Sequence, residues 1–333
     1  MTDCRYSKEI DAHLGRLKSG ELLDFETAYS LGRNEPVSDL CGAADDLRRH
    51  FHGDSFDLCS IINARSGNCS EDCRYCAQSA RYTTGAESYQ LIADDLALEQ
   101  ALENDSAGVD RLSLVTAGRT VSTSQLRELA TLYRLMEART DLLFCGSLGL
   151  LDRKKAEQLR SMGVIRYHCN LESCREFFPS ICTSHSWEDK VETLKIARDA
   201  GMDLCSGGII GMGESFSQRL QLAFELRELD VLSIPVNILT PIPGTPLGDL
   251  APLSTDEVLR TVAMFRLINP QAVIRLAGGR NQLDSDQYRC FTGGANGAIV
   301  GNYLTTAGNS LDGDIAEIGA LGFTFRRREP DNG

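Results

Sequence analysis

Long apolar runs are missing from this 333-residue chain. None approaches the roughly 18 consecutive apolar residues that a membrane helix requires. The first residues, MTDCRYSKEIDAHLG, also lack the basic region and apolar segment of a secretion signal. The cytoplasm is therefore the expected location, with no membrane partner. Positive charge is scarce: 34 Lys and Arg stand against 47 Asp and Glu, a formal charge of −13. That balance argues against nucleic-acid backbones and anionic membranes, which reward clustered cations. A small-molecule substrate is expected instead. No candidate strand is followed by a Gly-rich dinucleotide turn, and no low-complexity linker marks a second domain. The 12 cysteines are too sparse to staple a disulfide-rich fold, which leaves metal ligation or redox chemistry. Cys4, Cys41, Cys59 and Cys290, each isolated in sequence, read as buried small hydrophobes or inert surface thiols.

What the chain does have is a rhythm. Apolar runs recur as DLCSIINA, VDRLSLVT, LLFCGSL, IRYHCNL, MDLCSGGII, LSIPVNIL, AVIRLAG and GAIVGNY. Between them lie amphipathic stretches such as STSQLRELATLYRLMEART, with Leu126, Leu129, Leu132, Tyr133 and Met136 at three- and four-residue spacing. Strands alternating with helices predict an α/β fold, a (β/α)8 TIM barrel over residues 56–306, with a helical extension over 1–55 as a cap and a C-terminal tail over 307–333. An open doubly wound sheet is the structural rival. In a barrel, chemistry belongs on the loops after the strands.

The loop after the first strand, SGNCSEDCRYCAQS, holds Cys69, Cys73 and Cys76 as C-x3-C-x2-C. Structural zinc wants four ligands, usually in two paired knuckles, and no second knuckle lies nearby. Three thiolates suit a [4Fe–4S] cluster with one iron left open. This spacing, with the aromatic Tyr75 before the last cysteine, resembles the radical S-adenosylmethionine (SAM) superfamily. The resemblance implies that SAM chelates the open iron and is cleaved to a 5′-deoxyadenosyl radical.

Further segments, YCAQSARYTTG, CSGGIIGMGE, PVNIL, GTPL, RLAGGRNQ and TGGANGAIVGNYLTT, resemble the biotin synthase family from about Cys59 to Thr306. That resemblance implies conversion of dethiobiotin to biotin, with sulfur drawn from an auxiliary iron–sulfur cluster, a [2Fe–2S] centre or a larger one. Cys145, Cys205 and Arg275 match three auxiliary ligand positions, and Ser113 stands at the fourth, where cysteine is usual. Serine oxygen ligates iron less readily than thiolate. Cys182, or else Cys169, is expected to replace the missing ligand, with Cys182 preferred. Cys174 is expected to be exposed and incidental.

The family match also places Asn170 and Glu172 on SAM, with Lys190 where an arginine usually pairs with the SAM carboxylate. Ile209 is expected against the adenine and the backbone around Tyr75 at its edge. Asn170 and Asn237 are expected to hydrogen-bond the ureido ring of the substrate, beside His168, which stands where asparagine is usual. A flavodoxin or ferredoxin reductant, an iron–sulfur assembly system and a homodimer complete the implied partners. Two other classes share the triad: another radical SAM barrel of hydrogenase-maturase or mutase type, and a non-catalytic iron–sulfur carrier.

Overall fold

The computed structural model describes residues 5–306 and 308–326; Cys4 lies outside the described residues. Alternation dominates the first strand, β1 (Ser55–Arg65): its even-numbered residues are buried against the helices, while Asp57, Cys59, Ile61, Asn63 and Arg65 face the other way. The parallel strands β2 (Arg111–Thr116), β3 (Leu143–Ser147), β4 (Arg166–His168), β5 (Asp203–Cys205), β6 (Gly208–Ile210), β7 (Ser233–Ile238), β8 (Val273–Leu276) and β9 (Gly297–Ile299) follow. β9 pairs back on β1, Ile299 opposite Cys59, and closes the sheet. Short β5 and β6 are two halves of one barrel strand, so the barrel has eight. The TIM-type expectation is correct, and the open sheet is excluded by that closure.

The break between β5 and β6 has a steric cause. A Cβ on Gly207 would lie 1.9 Å from the Pro235 carbonyl oxygen, so only glycine lets the backbone pass there. The strand resumes one step on, where Ile209 N–H donates to the Glu172 carbonyl. Glu172 itself has φ 69°, a left-handed conformation uncommon outside glycine, Asn and Asp.

Helices α4 (Asp94–Ser106), α5 (Thr123–Glu137), α6 (Arg153–Ser161), α7 (Trp187–Asp199), α8 (Phe216–Glu228) and α9 (Thr255–Ile268) surround the strands. The predicted stripe of α5 is its buried face. Serines cap α5, α7, α8 and α9, each in a reciprocal capping box with the residue three positions on. Helices α1 (Lys8–Lys18), α2 (Phe25–Asn34) and α3 (Val37–His52) precede the barrel. No helix among the described residues is long and apolar enough to cross a membrane.

Beyond residue 306 the sequence suggested only a tail, but helix α10 (Leu311–Ala320) and strand β10 (Thr324–Phe325) are built there, β10 pairing with the start of β1. The anchor is a buried ion pair. Asp314, fully buried, accepts from Arg280 Nη1 at 3.0 Å and pairs with Nη2, while Tyr288 and Asn309 also reach its carboxylate. Arg280 Nε donates to the Tyr303 hydroxyl at 3.0 Å, which ties this anchor to the barrel interior. Removing one partner of such a pair strands a buried charge. Asp314→Ala is expected to cost about 3–5 kcal/mol, read as a lower urea midpoint. A loss under about 1 kcal/mol would mean that water satisfies Arg280 and that the pair does not anchor the C-terminal segment.

Candidate functional site

β1 runs straight into the cysteine loop. There the chain folds back on itself: Cys69 N–H donates to the Gln78 carbonyl at 3.0 Å, Ala80 N–H to the Cys69 carbonyl at 2.8 Å, and Cys76 N–H to the Cys73 carbonyl at 3.0 Å. Tyr82 hydroxyl and Ser79 hydroxyl donate to the Asp72 and Glu71 carbonyls, each at 2.6 Å. All three triad thiols are free and half-buried. Burial pushes the Cys76 thiol up to about 11 and also raises Cys69. Among the described residues, the one group of three whose metal-ligand atoms all lie within 4.8 Å of one another is Cys73, Cys182 and His185, and the triad is not such a group. The triad sulfurs are thus spread more widely than a single tetrahedral ion would hold them, which counts against zinc and suits a polynuclear cluster.

Below the loop, the barrel encloses a cavity of about 320 Å³. Tyr75, Asn170, Glu172 and Ile209 line it towards the cysteine loop, and Cys59, Cys145, Cys205 and Arg275 lie among its walls. Those last four come from the first, third, fifth and seventh barrel strands. Inward side chains of alternate strands share a layer in this architecture. All four line the same cavity, which sets the three thiols and the guanidinium around one space.

The missed member of this layer is Cys59. An isolated cysteine on a strand gave no motif, but its parity in DLCSIINA and the alternate-strand rule together were a sufficient signal. Cys182 is a correction in the other direction. It lies in the turn before α7 with its Sγ 3.8 Å from Cys73 Sγ, outside the cavity walls. Cys169, one residue beyond inward His168, packs into the core outside the barrel. Neither reaches the thiol layer. Cys174 is 1% exposed, so it is a core thiol and not a surface one.

Arg275 is engaged. Its Nη2 donates to Asp57 Oδ1 at 2.5 Å, and Nη1 to the Asp57 and Ala298 carbonyls at 3.1 and 3.3 Å. Burial opposes charge on Asp57, yet Arg275 foremost, with Arg166 and Arg111, holds its carboxyl below the usual range. Cys205 Sγ lies 3.3 Å from His168 Nδ1 and 3.4 Å from Ser233 Oγ. Burial raises that thiol, but His168 and then Arg275 outweigh it and leave it lowered to about 6. Burial pushes Cys145 up to about 12 and Cys59 up to about 11.

Several polar atoms in and around the cavity have no hydrogen-bond partner. Ser113 Oγ, Arg166 Nε, Arg111 Nε and Nη1, and Glu172 Oε2 are buried without a hydrogen-bond partner, though Arg111 Nε stands 3.6 Å from Asp57 Oδ2. Such groups are costly unless something completes them. Ser113 sits beside Cys145 in register, on the intervening strand. The donor set, three inward thiols with cationic neighbours and orphaned donors, fits an anionic iron–sulfur group.

The remaining expected residues divide. Lys190 Nζ stands 3.8 Å from Glu172 Oε1. Asn170 Oδ1 accepts from Gly207 N–H at 3.0 Å, leaving its amide nitrogen to the cavity. Asn237 donates to the Gly208 carbonyl at 3.1 Å and accepts from Gly278 N–H at 3.0 Å, so backbone already uses both ends of its amide. His168 faces Cys205, which makes it a neighbour of the thiol layer.

Comparison with known proteins agrees with this geometry. Residues 64–226 match the Radical SAM superfamily, and residues 235–324 match the Biotin and Thiamin Synthesis associated domain. The biotin synthase of Desulfotalea psychrophila is 58% identical over 94% of both chains, and that of Pelotomaculum thermopropionicum is 48% identical over 92% of this chain and 96% of its own. Among solved structures, methylornithine synthase (PylB) superposes with a TM-score of 0.82 at 19% identity, covering 94% of this chain and 97% of its own. The FeFe-hydrogenase maturase HydG from Carboxydothermus hydrogenoformans gives 0.79 at 17% over 96% and 81%, so both share the fold. With identity this high along almost its whole length, the chain belongs to the biotin synthase family of radical SAM enzymes.

Proposed function

We propose that the chain converts dethiobiotin to biotin, with the triad holding a [4Fe–4S] cluster and SAM, and with Cys59, Cys145 and Cys205 holding the auxiliary cluster. The observation that carries this reading is the buried thiol layer facing the same cavity as Tyr75, Glu172 and Ile209. When bound, these groups supply a carbon-centred oxidant at one end of the cavity and transferable sulfur at the other. A hydrogenase-maturase or mutase barrel needs the triad but not this floor.

The chain's own residues do the rest. Ile61, Val115, Ile209, Pro235 and Ile299 give the cavity apolar walls, which exclude water from a reactive carbon. Glu172 offers its unpaired Oε2 to hydroxyl donors, and Lys190 beside it places a positive charge for a carboxylate. The free amide nitrogen of Asn170 is available to a cyclic urea oxygen. Asn237 contributes by fixing the Gly208 and Gly278 backbone around that site. Arg275 stays on Asp57, where it offsets thiolate charge and leaves iron to sulfur. A flavodoxin or ferredoxin type donor would deliver single electrons, an assembly system would rebuild the sulfur-donating cluster, and a homodimer is the expected assembly.

The reaction itself tests the reading. Anaerobically reconstituted protein is expected to form biotin and 5′-deoxyadenosine only when dethiobiotin and reductant are both present, and Cys76→Ala should abolish both products. SAM cleavage indifferent to dethiobiotin would point to another radical SAM substrate.

Mössbauer spectra separate the ligands. Cys59→Ala is expected to lose the auxiliary signal while keeping the triad cluster, whereas Cys169→Ala and Ser113→Ala keep both. Retention of the auxiliary signal in Cys59→Ala would return the ligand to another atom.

Lys190→Met should weaken SAM binding tenfold or more, about 1.4 kcal/mol, and Lys190→Arg should restore most of it. Unchanged affinity in Lys190→Met by equilibrium binding would assign the lysine to Glu172 alone.

A further inference from the structure

The chain is acidic as a whole, with 34 Lys and Arg against 47 Asp and Glu, yet cations gather on the face that carries the cysteine loop. Arg74 lies inside the triad motif, directly after Cys73, and Arg81 lies just beyond Cys76; both are exposed. Arg74 Nη1 donates to the Ser180 carbonyl at 3.1 Å, and Arg81 Nε to the Ser70 carbonyl at 3.2 Å. Neither has a carboxylate within ion-pair distance among the described residues. The face continues through the loop after β2. Arg119 Nη1 donates to the Ser184 carbonyl and stands 3.6 Å from Glu71 Oε2, while Nη2 reaches Asp189 Oδ2 at 3.3 Å. Next to it, Thr120 Oγ1 accepts from Lys155 Nζ at 2.9 Å, which brings the first turn of α6 alongside.

That turn is Arg153, Lys154 and Lys155. Cations at a helix N-terminus oppose the macrodipole, which favours acidic residues there. Lys155 pairs with the capping Asp152 at 3.2 Å, but Arg153 and Lys154 are exposed and in no ion pair among the described residues. Helix stability therefore does not account for this run. The carboxylates interleaved with the cations are already engaged: Glu71 with His185, Asp72 with the Thr183 and Ser184 N–H groups, Asp189 with Ser186 N–H, and Asp152 with Lys155 N–H. We propose that the face made by Arg74, Arg81, Arg119 and the first turn of α6 is the docking surface for an acidic one-electron carrier protein.

This rests on the triad holding a [4Fe–4S] cluster. The carrier is oxidised by one electron and the cluster is reduced by it, with no atom transferred. Electron transfer weakens steeply with separation, so the carrier has to settle over the half-buried cysteines. An acidic partner approaches an acidic protein against net repulsion, and a local positive face both lowers that barrier and orients the encounter. Anionic membranes and nucleic acids are extended and meet the negative charge of the remaining surface, whereas a compact carrier meets this face alone. Guanidiniums bonded only to carbonyls break no ion pair when they receive its carboxylates.

Reduced flavodoxin serves as the acidic carrier and reduced methyl viologen, a small cation, as the control reductant. Rapid-freeze EPR follows reduction of the triad cluster in reconstituted parent and in Arg74→Glu/Arg81→Glu, with iron content measured in each. The double reversal is expected to slow reduction by flavodoxin about tenfold or more at low salt, a difference that shrinks as ionic strength rises. Equilibrium binding of oxidised flavodoxin, read by calorimetry, should weaken in parallel, while methyl viologen reduces the variant at least as fast as the parent. Arg139→Glu, an equal charge change at the exposed residue beyond α5, should leave the flavodoxin rate near the parent's. An unchanged flavodoxin rate and affinity in the double reversal overturns the proposal, as does an equal loss in Arg139→Glu. Slower reduction by both reductants would assign the arginines to the cluster's own surroundings and also overturns it. Where the reversal loses iron, Arg74→Gln/Arg81→Gln replaces it, with a smaller loss expected and an unchanged rate again fatal. A parent that viologen cannot reduce would bring down the triad reading instead, since flavodoxin affinity is measured without reduction.

Discussion

Charge buried inside a closed barrel has to be balanced where it stands, and the floor of this barrel is organised around that constraint. Arg111, Arg166 and Arg275 all come from inward positions, and Asp57 is the carboxylate they share. Asp203, which pairs with Arg166 at 3.6 Å, lies with its side chain largely in solvent. Three guanidiniums thus gather at the floor around the one carboxylate they share, with buried Asp110 alongside. Nε of Arg166 and two nitrogens of Arg111 are left without hydrogen-bond partners. Ion pairs in such surroundings break even only when their remaining donors are completed. Three thiolates and inorganic sulfide would complete them, which is why the arginines and cysteines belong to one arrangement rather than two.

The same constraint explains why Arg275 does not stand free. A guanidinium whose Nη atoms reach Asp57 and two carbonyls is oriented by its fork and keeps its charge. Iron prefers thiolate to nitrogen of so basic a group. Cys59, opposite Ile299 at the barrel seam, would supply under the proposed reading the sulfur that Ser113 lacks. On that reading one ligand moves from the second strand to the first, and Ser113 stands as a hydroxyl without a hydrogen-bond partner in register with Cys145.

How much of this was legible varied with the length of the pattern. The eight strands and the stripe of α5 could be read because period-two and period-3.6 repeats follow directly from burial. Cys145, Cys205 and Arg275 fell on strands three, five and seven, and the layer rule asked for a fourth residue on strand one. Cys59 was in plain view there, but a lone cysteine among apolar residues looks like packing. Cys182 misled for the converse reason. Its choice as the replacement ligand rested on the missing cysteine at Ser113, whereas β4 ends at His168 and by Ile181 the chain is already bonded to the cysteine loop. Helix α10 was illegible because its hold is a buried ion pair, Arg280 with Asp314, formed between residues far apart in sequence and carrying no period.

The turn at Ile181–His185 shows how the two ends of the cavity are kept in register. It is bonded to the cysteine loop through Asp72 and Glu71, and it leads directly into α7, whose Lys190 approaches Glu172. Glu172 N–H in turn donates to the Gly207 carbonyl and its own carbonyl accepts from Ile209 N–H, which fixes the broken fifth strand. Gly207 lies two residues beyond Cys205. A series of side-chain and main-chain contacts thus runs from the cysteine loop, through the cation and carboxylate at the mouth, down to the broken fifth strand. Chemistry that carries a substrate carbon from an oxidant at one end to sulfur at the other tolerates little change in their separation. The left-handed backbone at Glu172 is the cost of making that connection in a single step.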